Sequence, residues 1–131
     1  MPKPAPVGLG ELDIERESDR WRLIQPLTYR EPDVMVTVPA GFGTDLDSVP
    51  RIPGVYALAK GRAVKSAVIH DYLYREQRPR AFADSVLLDA MAVEGVSNPI
   101  RWTIYAAVRV FGWIPYDRIG KGKTRVQRLR S

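Results

Sequence analysis

The single histidine of the chain, His70, lies in the stretch AVIHDYLYREQ (67 to 77), directly before Asp71 and one helical turn before Tyr74. An imidazole can act as a general base, bind a metal or form a hydrogen bond with a carboxylate. Apolar residues recur here at three- and four-residue intervals, which predicts a helix from about residue 62 to 77. His70 and Tyr74 share its apolar face, so the imidazole should lie against the core.

A carboxylate is predicted at a comparable depth on the next helix. The pattern from residue 81 to 94 predicts a second helix, which ends at Gly95 and has Asp84 on its buried face. Because the link RPR is short, the two helices should be antiparallel neighbours. Burial penalises an unpaired carboxylate, and a hydrogen bond between Asp84 and His70 would satisfy both groups. We therefore predict a paired centre, with His70, Asp84 and Tyr74 as the candidate catalytic residues.

The segment PAGFGTDLDSVPRIPG (39 to 54) is the longest irregular stretch, yet it contains apolar side chains typical of a buried position. Such a loop is expected to pack on the body, and long loops of this kind often carry function. It supplies the candidate loop residues Thr44, Asp45, Ser48 and Arg51. We predict that it packs against the first helix and brings Asp45 or Arg51 close to His70 or Asp71.

Three interpretations of this centre stay open. It could be a polar network in the core that fixes the register of the helices, a general-base site, or a metal site. The candidate metal ligands are Asp71 and Asp45, because one histidine with several aspartates suits Mg, Mn or Ca better than Zn. Asp45 and Asp47 could equally cap backbone amides in a turn.

The remaining elements indicate a small α+β domain. Residues 20–30, interrupted at Pro26, and residues 33–42 each show strand-like alternation, and the turn signal REPD separates them. This pattern predicts a β-hairpin, of edge character because of its prolines. After the second helix, SNP starts a third helix that continues to Phe111. The predicted fold is an N-terminal β-hairpin or small antiparallel sheet, a structured loop and a compact body of three helices.

Charge is distributed unevenly along the chain. The 131 residues carry a formal net charge of +5, but residues 118–131 hold six Lys or Arg and no acid, which leaves 14 basic and 15 acidic residues elsewhere. We predict a flexible N-terminal arm (1–18), a single globular domain (19–117) and a basic C-terminal tail (118–131) that becomes ordered only against a partner. The composition of the tail is typical of a solvated extension or of a segment that contacts a neighbouring protein. It is less typical of a segment that binds nucleic acid, because it lacks interleaved aromatic residues.

Composition excludes several kinds of site. The chain has no cysteine, so it has no disulfides, thiolate metal sites or cysteine nucleophiles. The N-terminal stretch MPKPAPVG lacks the apolar segment of a signal peptide. The most apolar stretch, IYAAVRVFGWI, is interrupted by Arg109 and is too short to span a bilayer. We expect a soluble protein without a membrane span.

Four motifs occur in order: FGTDLDSVPR (42 to 51), AVIHDYLY (67 to 74), ADSVLLDAM (83 to 91) and RWTIYAAVRVFG (101 to 112). Together they resemble the bacteriophage and prophage family called domain of unknown function 1353, from about residue 20 to 117. The matching hallmark residues are Thr44, Asp45, Ser48, Pro50, Arg51, His70, Asp71, Tyr74 and Asp84. Asp47 departs from the small residue expected in that loop. The resemblance implies a phage source but no activity.

A local resemblance concerns the stretch HDYLY (70 to 74). It is similar to the His-Asp-x-x-Tyr helix of secreted phospholipases A2, in which an aspartate on an antiparallel helix holds a general-base histidine and the adjacent aspartate binds calcium. That similarity implies those roles for His70, Asp84 and Asp71, with Tyr74 beside them. The disulfides and the usual glycine-rich calcium loop of those enzymes are missing here.

Two function classes follow. The first is a virion or tail-associated component, made in the host cytoplasm, whose N-terminal arm and basic tail contact other phage proteins. The alternative is a metal-assisted or general-base hydrolase that acts on host envelope material. Extended termini around a compact body favour the first, because such arms bury surface in assemblies. A pocket at His70 would favour the second.

Overall fold

The computed structural model of the chain describes residues 8–17, 20–44 and 62–130, and the side chains of these residues as far as position 122. Within these ranges, two antiparallel sheets of three strands each precede four helices, which confirms the predicted α+β class. The strands are β1 (Gly8–Leu9), β2 (Ile14–Glu17), β3 (Arg20–Leu23), β4 (Leu27–Glu31), β5 (Val34–Val38) and β6 (Gly43–Thr44). One sheet has the order β1-β4-β5 and the other β2-β3-β6.

The predicted hairpin is present between β4 and β5. Its register pairs Glu31 with Val34, so Pro32 and Asp33 form the turn at REPD. Leu27 and Tyr29, two residues apart on β4, are both buried, because alternate side chains of a strand point to the same face of the sheet. The first half of the hairpin was predicted to extend from residue 20, and this is wrong.

Residues 20–23 belong to the second sheet. Strand β3 pairs with β2 on one side and with β6 on the other, where Trp21 lies opposite Thr44. The break falls before Leu27 because Pro26 has no backbone N–H to donate to a ladder. This second sheet fixes the position of Thr44, which the candidate site uses.

The four helices are α1 (Val64–Arg75), α2 (Arg80–Glu94), α3 (Asn98–Phe111) and α4 (Trp113–Arg130). The first three lie where the sequence predicts them. Helix α2 ends at Gly95, whose φ of +92° is the left-handed conformation that glycine adopts without strain. Ser97 is the residue before α3, and a proline occupies its first turn, as the SNP signal indicates.

The fourth helix was not predicted. The sequence pattern predicts that the last helix ends at Phe111, but α4 includes residues 118–130, which were predicted to be a tail. Gly112, Pro115, Gly120 and Gly122 are helix-breaking signals in this region. Pro115 lies in the first turn of α4, where a missing N–H costs little. Whether this helix adds stability to the domain stays a prediction.

Helices α1 and α2 form an antiparallel pair held at both ends. Glu94, at the end of α2, accepts hydrogen bonds from the backbone N–H groups of Lys65 and Ser66 at 3.0 Å each and from Ser66 Oγ at 2.7 Å. These amides have no partner within their own helix, so the carboxylate caps the start of α1. At the other end, Gln77 has a φ of +56° and reverses the chain. None of the helices in the described part of the chain has the length and apolar content needed to cross a membrane.

Acidic side chains approach each other where β4 meets α2, and this contact predicts a pH effect. Burial raises the pKa of Glu31, and the carboxylate of Asp89 raises it further, while a hydrogen bond from Tyr29 Oη at 3.1 Å opposes the shift. A carboxyl whose pKa is raised by folding stabilises the fold below its unfolded pKa of about 4.3 and loses that contribution as the pH rises through its folded pKa.

We expect Glu31→Gln to raise the melting temperature at pH 7 by about 2 °C. The melting temperature of the variant should also change less between pH 4 and 7 than that of the parent. Thermal unfolding followed by circular dichroism measures this. Glu11→Gln is the control, because it removes an exposed carboxylate of the same charge. A lower melting temperature for Glu31→Gln at pH 7 would contradict the prediction.

Candidate functional site

The centre of the candidate site is the carboxylate of Asp84 on α2. Its Oδ1 atom lies 2.7 Å from His70 Nε2 and accepts a hydrogen bond from Tyr74 Oη, also at 2.7 Å. All three residues are fully buried, with 0% exposure. The predicted hydrogen bond between His70 and Asp84 is therefore confirmed, and Tyr74 shares the same oxygen. An ionised carboxylate only accepts hydrogen bonds, so Nε2 carries the proton between them.

The second carboxylate oxygen, Oδ2, faces two arginines. Arg109 Nη1, near the end of α3, donates to it at 2.8 Å, and Arg80 Nη1 lies 3.5 Å away. The Arg80 guanidinium also donates to the carbonyl oxygens of Val108 at 3.0 Å and of Arg109 at 3.1 Å. These carbonyls belong to the last turn of α3, where the Val108 oxygen also accepts a hydrogen bond from the Gly112 N–H at 2.7 Å. Asp84 therefore connects α1, α2 and α3.

Neither arginine was among the predicted site residues. Arg80 precedes Asp84 by four residues, the spacing of neighbours on a helix surface, and this signal could have found it. Arg109 interrupts the apolar stretch of α3, and a charge in such a stretch indicates a buried partner.

These contacts determine the ionisation of the centre. Burial opposes the charged form of Asp84, but hydrogen bonds from His70, Tyr74 and Arg109 outweigh it and hold the pKa of this carboxyl below its usual value. Burial and the neighbouring carboxylate raise the pKa of Tyr74 above its usual range, so its hydroxyl stays a donor. The His70 and Tyr74 rings also stack at an angle, with centroids 4.1 Å apart.

Asp71 forms a second polar cluster on the other side of α1. Thr44 Oγ1 donates to Asp71 Oδ2 at 2.7 Å, and Arg75 Nε lies 3.5 Å from the same oxygen. Asp71 is fully buried, and its Oδ1 atom accepts no hydrogen bond within the described ranges 8–17, 20–44 and 62–130. Phe42 packs edge-on against Tyr72 at 5.3 Å between ring centroids. The start of the loop therefore contacts α1, as predicted.

The other predicted loop residues, Asp45, Ser48 and Arg51, lie outside the described residues, as does Asp47. Their predicted approach to His70 and Asp71 stays a prediction. Within the described part of the chain, no group of three His, Asp or Glu side chains could hold a metal ion. Of the two candidate ligands, the structure describes Asp71 alone.

Comparison with known proteins identifies one family. The model of a family described as "Protein of unknown function (DUF1353)" matches residues 21–108. This range includes the strands from β3 onwards, the Asp71 cluster and the Asp84 centre except for Arg109. Searches of curated proteins and of solved structures gave no match.

Proposed function

The chain belongs to the DUF1353 family of proteins of unknown function, and we propose that it is a non-catalytic component of a bacteriophage particle, associated with the virion or its tail. The observation that carries this proposal is the complete burial of His70, Asp71 and Asp84, each with 0% exposure. A general base must come within hydrogen-bonding distance of its substrate. The phage source is what the resemblance of the four sequence motifs to this family implies.

In this proposal the polar centre sets the geometry of the helical body. Asp84 accepts hydrogen bonds from three side chains on two other helices, so the helices cannot slide without stranding a buried charge. A rigid body suits a subunit that must present fixed surfaces to its neighbours. The N-terminal segment (1–18), which contains strands β1 and β2, and the basic segment (118–131), which includes the C-terminal part of α4, are the parts we propose to contact other phage proteins.

The test is a substitution that keeps the hydrogen bond and removes the base. In His70→Gln the side-chain amide can still donate to Asp84. We expect the variant to enter phage particles, measured by mass spectrometry, and to keep infectivity within about threefold of the parent. A general base contributes about 10² to 10⁴ in rate. Particles that contain the variant but lose about 100-fold in infectivity would contradict the proposal.

Tyr74→Phe is the matched control for this experiment. It removes the other donor to the same oxygen of Asp84 and leaves the imidazole in place. For a structural centre, the infectivity of both variants should follow their melting temperatures. For a general base, His70→Gln should lose infectivity at a melting temperature where Tyr74→Phe keeps it.

A hydrolase is the second candidate, and one specific arrangement favours it. Asp84 binds the Nε2 side of His70 and so orients Nδ1 away from itself, while Asp71 Oδ1 has no hydrogen-bond donor among the described residues. The resemblance to phospholipases A2 implies a general base and a calcium ligand at these two positions. Incubation with host phospholipid vesicles and with peptidoglycan, each with and without calcium, tests this candidate. Hydrolysis by the parent that His70→Gln abolishes would support it, and elemental analysis would identify a bound metal.

A further inference from the structure

An apolar surface lies at the junction of α3 and α4. Val110, Phe111, Trp113 and Ile114, four of five consecutive residues, have exposed fractions of 60%, 43%, 52% and 48%. Helical hydrogen bonds continue across the junction, from the Gly112 N–H to the Val108 carbonyl at 2.7 Å and from the Tyr116 N–H to the Gly112 carbonyl at 3.1 Å. Residues three and four apart therefore lie on one face. We call these four residues the apolar patch.

The buried side of the junction explains why these side chains point outward. Gly112 and Pro115 are buried, and a Cβ atom added to Gly112 would lie 2.6 Å from Tyr74 Oη. The preceding Arg109 is held by Asp84. The junction is therefore fixed to the polar centre on one side, and its large apolar side chains occupy the other.

Basic residues follow the apolar patch along α4. Arg118 and Lys121 are exposed, one and two turns after Ile114. In the sequence, residues 118–131 contain six Lys or Arg and no acid, and Asp117 is the single acid after position 110. The surface thus combines large apolar side chains with adjacent positive charge.

We infer that the apolar patch and the basic residues of α4 bind an anionic lipid surface. Such a surface offers an apolar layer to Trp113 and its neighbours and negative headgroups to Lys121 and the charges after it. Tryptophan is favoured at this boundary between lipid and water. The binding is peripheral, since no described helix has the properties of a membrane span.

Charge complementarity favours lipid over the other occupants. Nucleic acid would match the positive charge, but its phosphate backbone offers no apolar layer for Val110 and Ile114. A second copy of the chain would cover the patch but would bring two basic segments together, which like-charge repulsion opposes. The inference does not depend on the proposed virion role, which is measured separately by incorporation into particles.

The test is flotation of the full chain with phosphatidylcholine vesicles, with and without phosphatidylglycerol. We expect binding only when phosphatidylglycerol is present, and weaker binding as the salt concentration rises. The double variant Val110→Ser/Trp113→Ser should weaken this binding about tenfold or more. Lys121→Gln should weaken it less, and chiefly at low salt.

The matched control is Val93→Ser/Met35→Ser, which removes two apolar side chains that are exposed elsewhere, with exposed fractions of 39% and 65%. It should bind like the parent, and melting curves check that each variant is folded. Equal binding by the patch variant would overturn the inference. An absence of vesicle binding by the parent would also overturn it. In that case, sedimentation would show whether the patch holds two copies of the chain together, and a DNA-binding assay would show whether the chain binds nucleic acid instead.

Discussion

Replacing Asp84 with alanine is expected to lower the free energy of unfolding by about 3 to 5 kcal/mol, the range for breaking a buried charged network. The substitution removes the acceptor of His70 Nε2, Tyr74 Oη and Arg109 Nη1 in one step. The histidine and tyrosine are fully buried, so water cannot replace the lost partner. Urea denaturation at pH 7 measures the change.

Replacing the same residue with asparagine should cost less, about 1 to 3 kcal/mol. The amide oxygen can accept the hydrogen bonds of His70 and Tyr74, but the amide nitrogen then faces the Arg109 guanidinium, and donor meets donor. The order alanine worse than asparagine follows from this geometry. Asp117→Ala, an exposed aspartate, is the control and should change stability by about 0.5 kcal/mol or less. Equal and negligible losses for both Asp84 variants would contradict the hydrogen-bonded arrangement.

At acidic pH, the difference in unfolding free energy between the parent and Asp84→Asn should become smaller. The pKa of Asp84 is lower in the folded chain, so the carboxylate contributes stability above the unfolded pKa of about 3.9. This contribution is lost as the pH falls through the folded pKa. We therefore expect the difference in unfolding free energy between the parent and Asp84→Asn to be constant from pH 5 to 7 and to shrink below about pH 4.

The pairing of His70 with Asp84 could be predicted because its information is local. Each residue lies on the apolar face of a predicted helix, and a link of three residues places the two helices side by side. A buried ionisable group needs a partner, and each helix offered one. Tyr74 could be placed near this pair because it lies one turn from His70, but its hydrogen bond to Asp84 was not predicted.

The second half of the centre could not be predicted in the same way. Arg109 reaches Asp84 from 25 positions along the chain, and only the packing of α3 on α2 brings it there.

The break between β3 and β4 had a local signal in Pro26. The choice of sheet for residues 20–23 could not be predicted, because it depends on their pairing with β2 and β6, two short strands. Helix α4 was missed because tertiary contacts, such as Gln77 Nε2 donating to the Tyr116 carbonyl at 3.1 Å, offset its weak helix propensity.

Gly112→Ala is expected to destabilise the fold by about 3 kcal/mol, although alanine is the better helix former. The added Cβ would lie 2.6 Å from Tyr74 Oη and would also contact the Val108 carbonyl oxygen, both closer than real Cβ atoms approach. Relief requires Tyr74 to move, which lengthens its hydrogen bond to Asp84. The small residue at position 112 therefore has a steric cause, and its effect should reach the polar centre.

A double-mutant cycle with Tyr74→Phe tests this connection. In the phenylalanine background the hydroxyl is gone, so one of the two close contacts is relieved and the hydrogen bond to Asp84 is already lost. Gly112→Ala should then cost about 1 kcal/mol less than in the parent, a coupling typical of residues in contact. If the changes in unfolding free energy of the two substitutions are additive, the side chain at position 112 does not interact with the Tyr74 hydroxyl.

Gly122→Ala is the control that separates helix propensity from packing. Gly122 is exposed in α4, and a Cβ atom there would meet nothing within 4 Å. The substitution should stabilise the protein by up to about 1 kcal/mol if α4 unfolds together with the body. A value near zero would mean that this part of α4 frays independently, as a tail would. The same change from glycine to alanine should therefore have opposite signs at positions 112 and 122, because only the first lies against Tyr74.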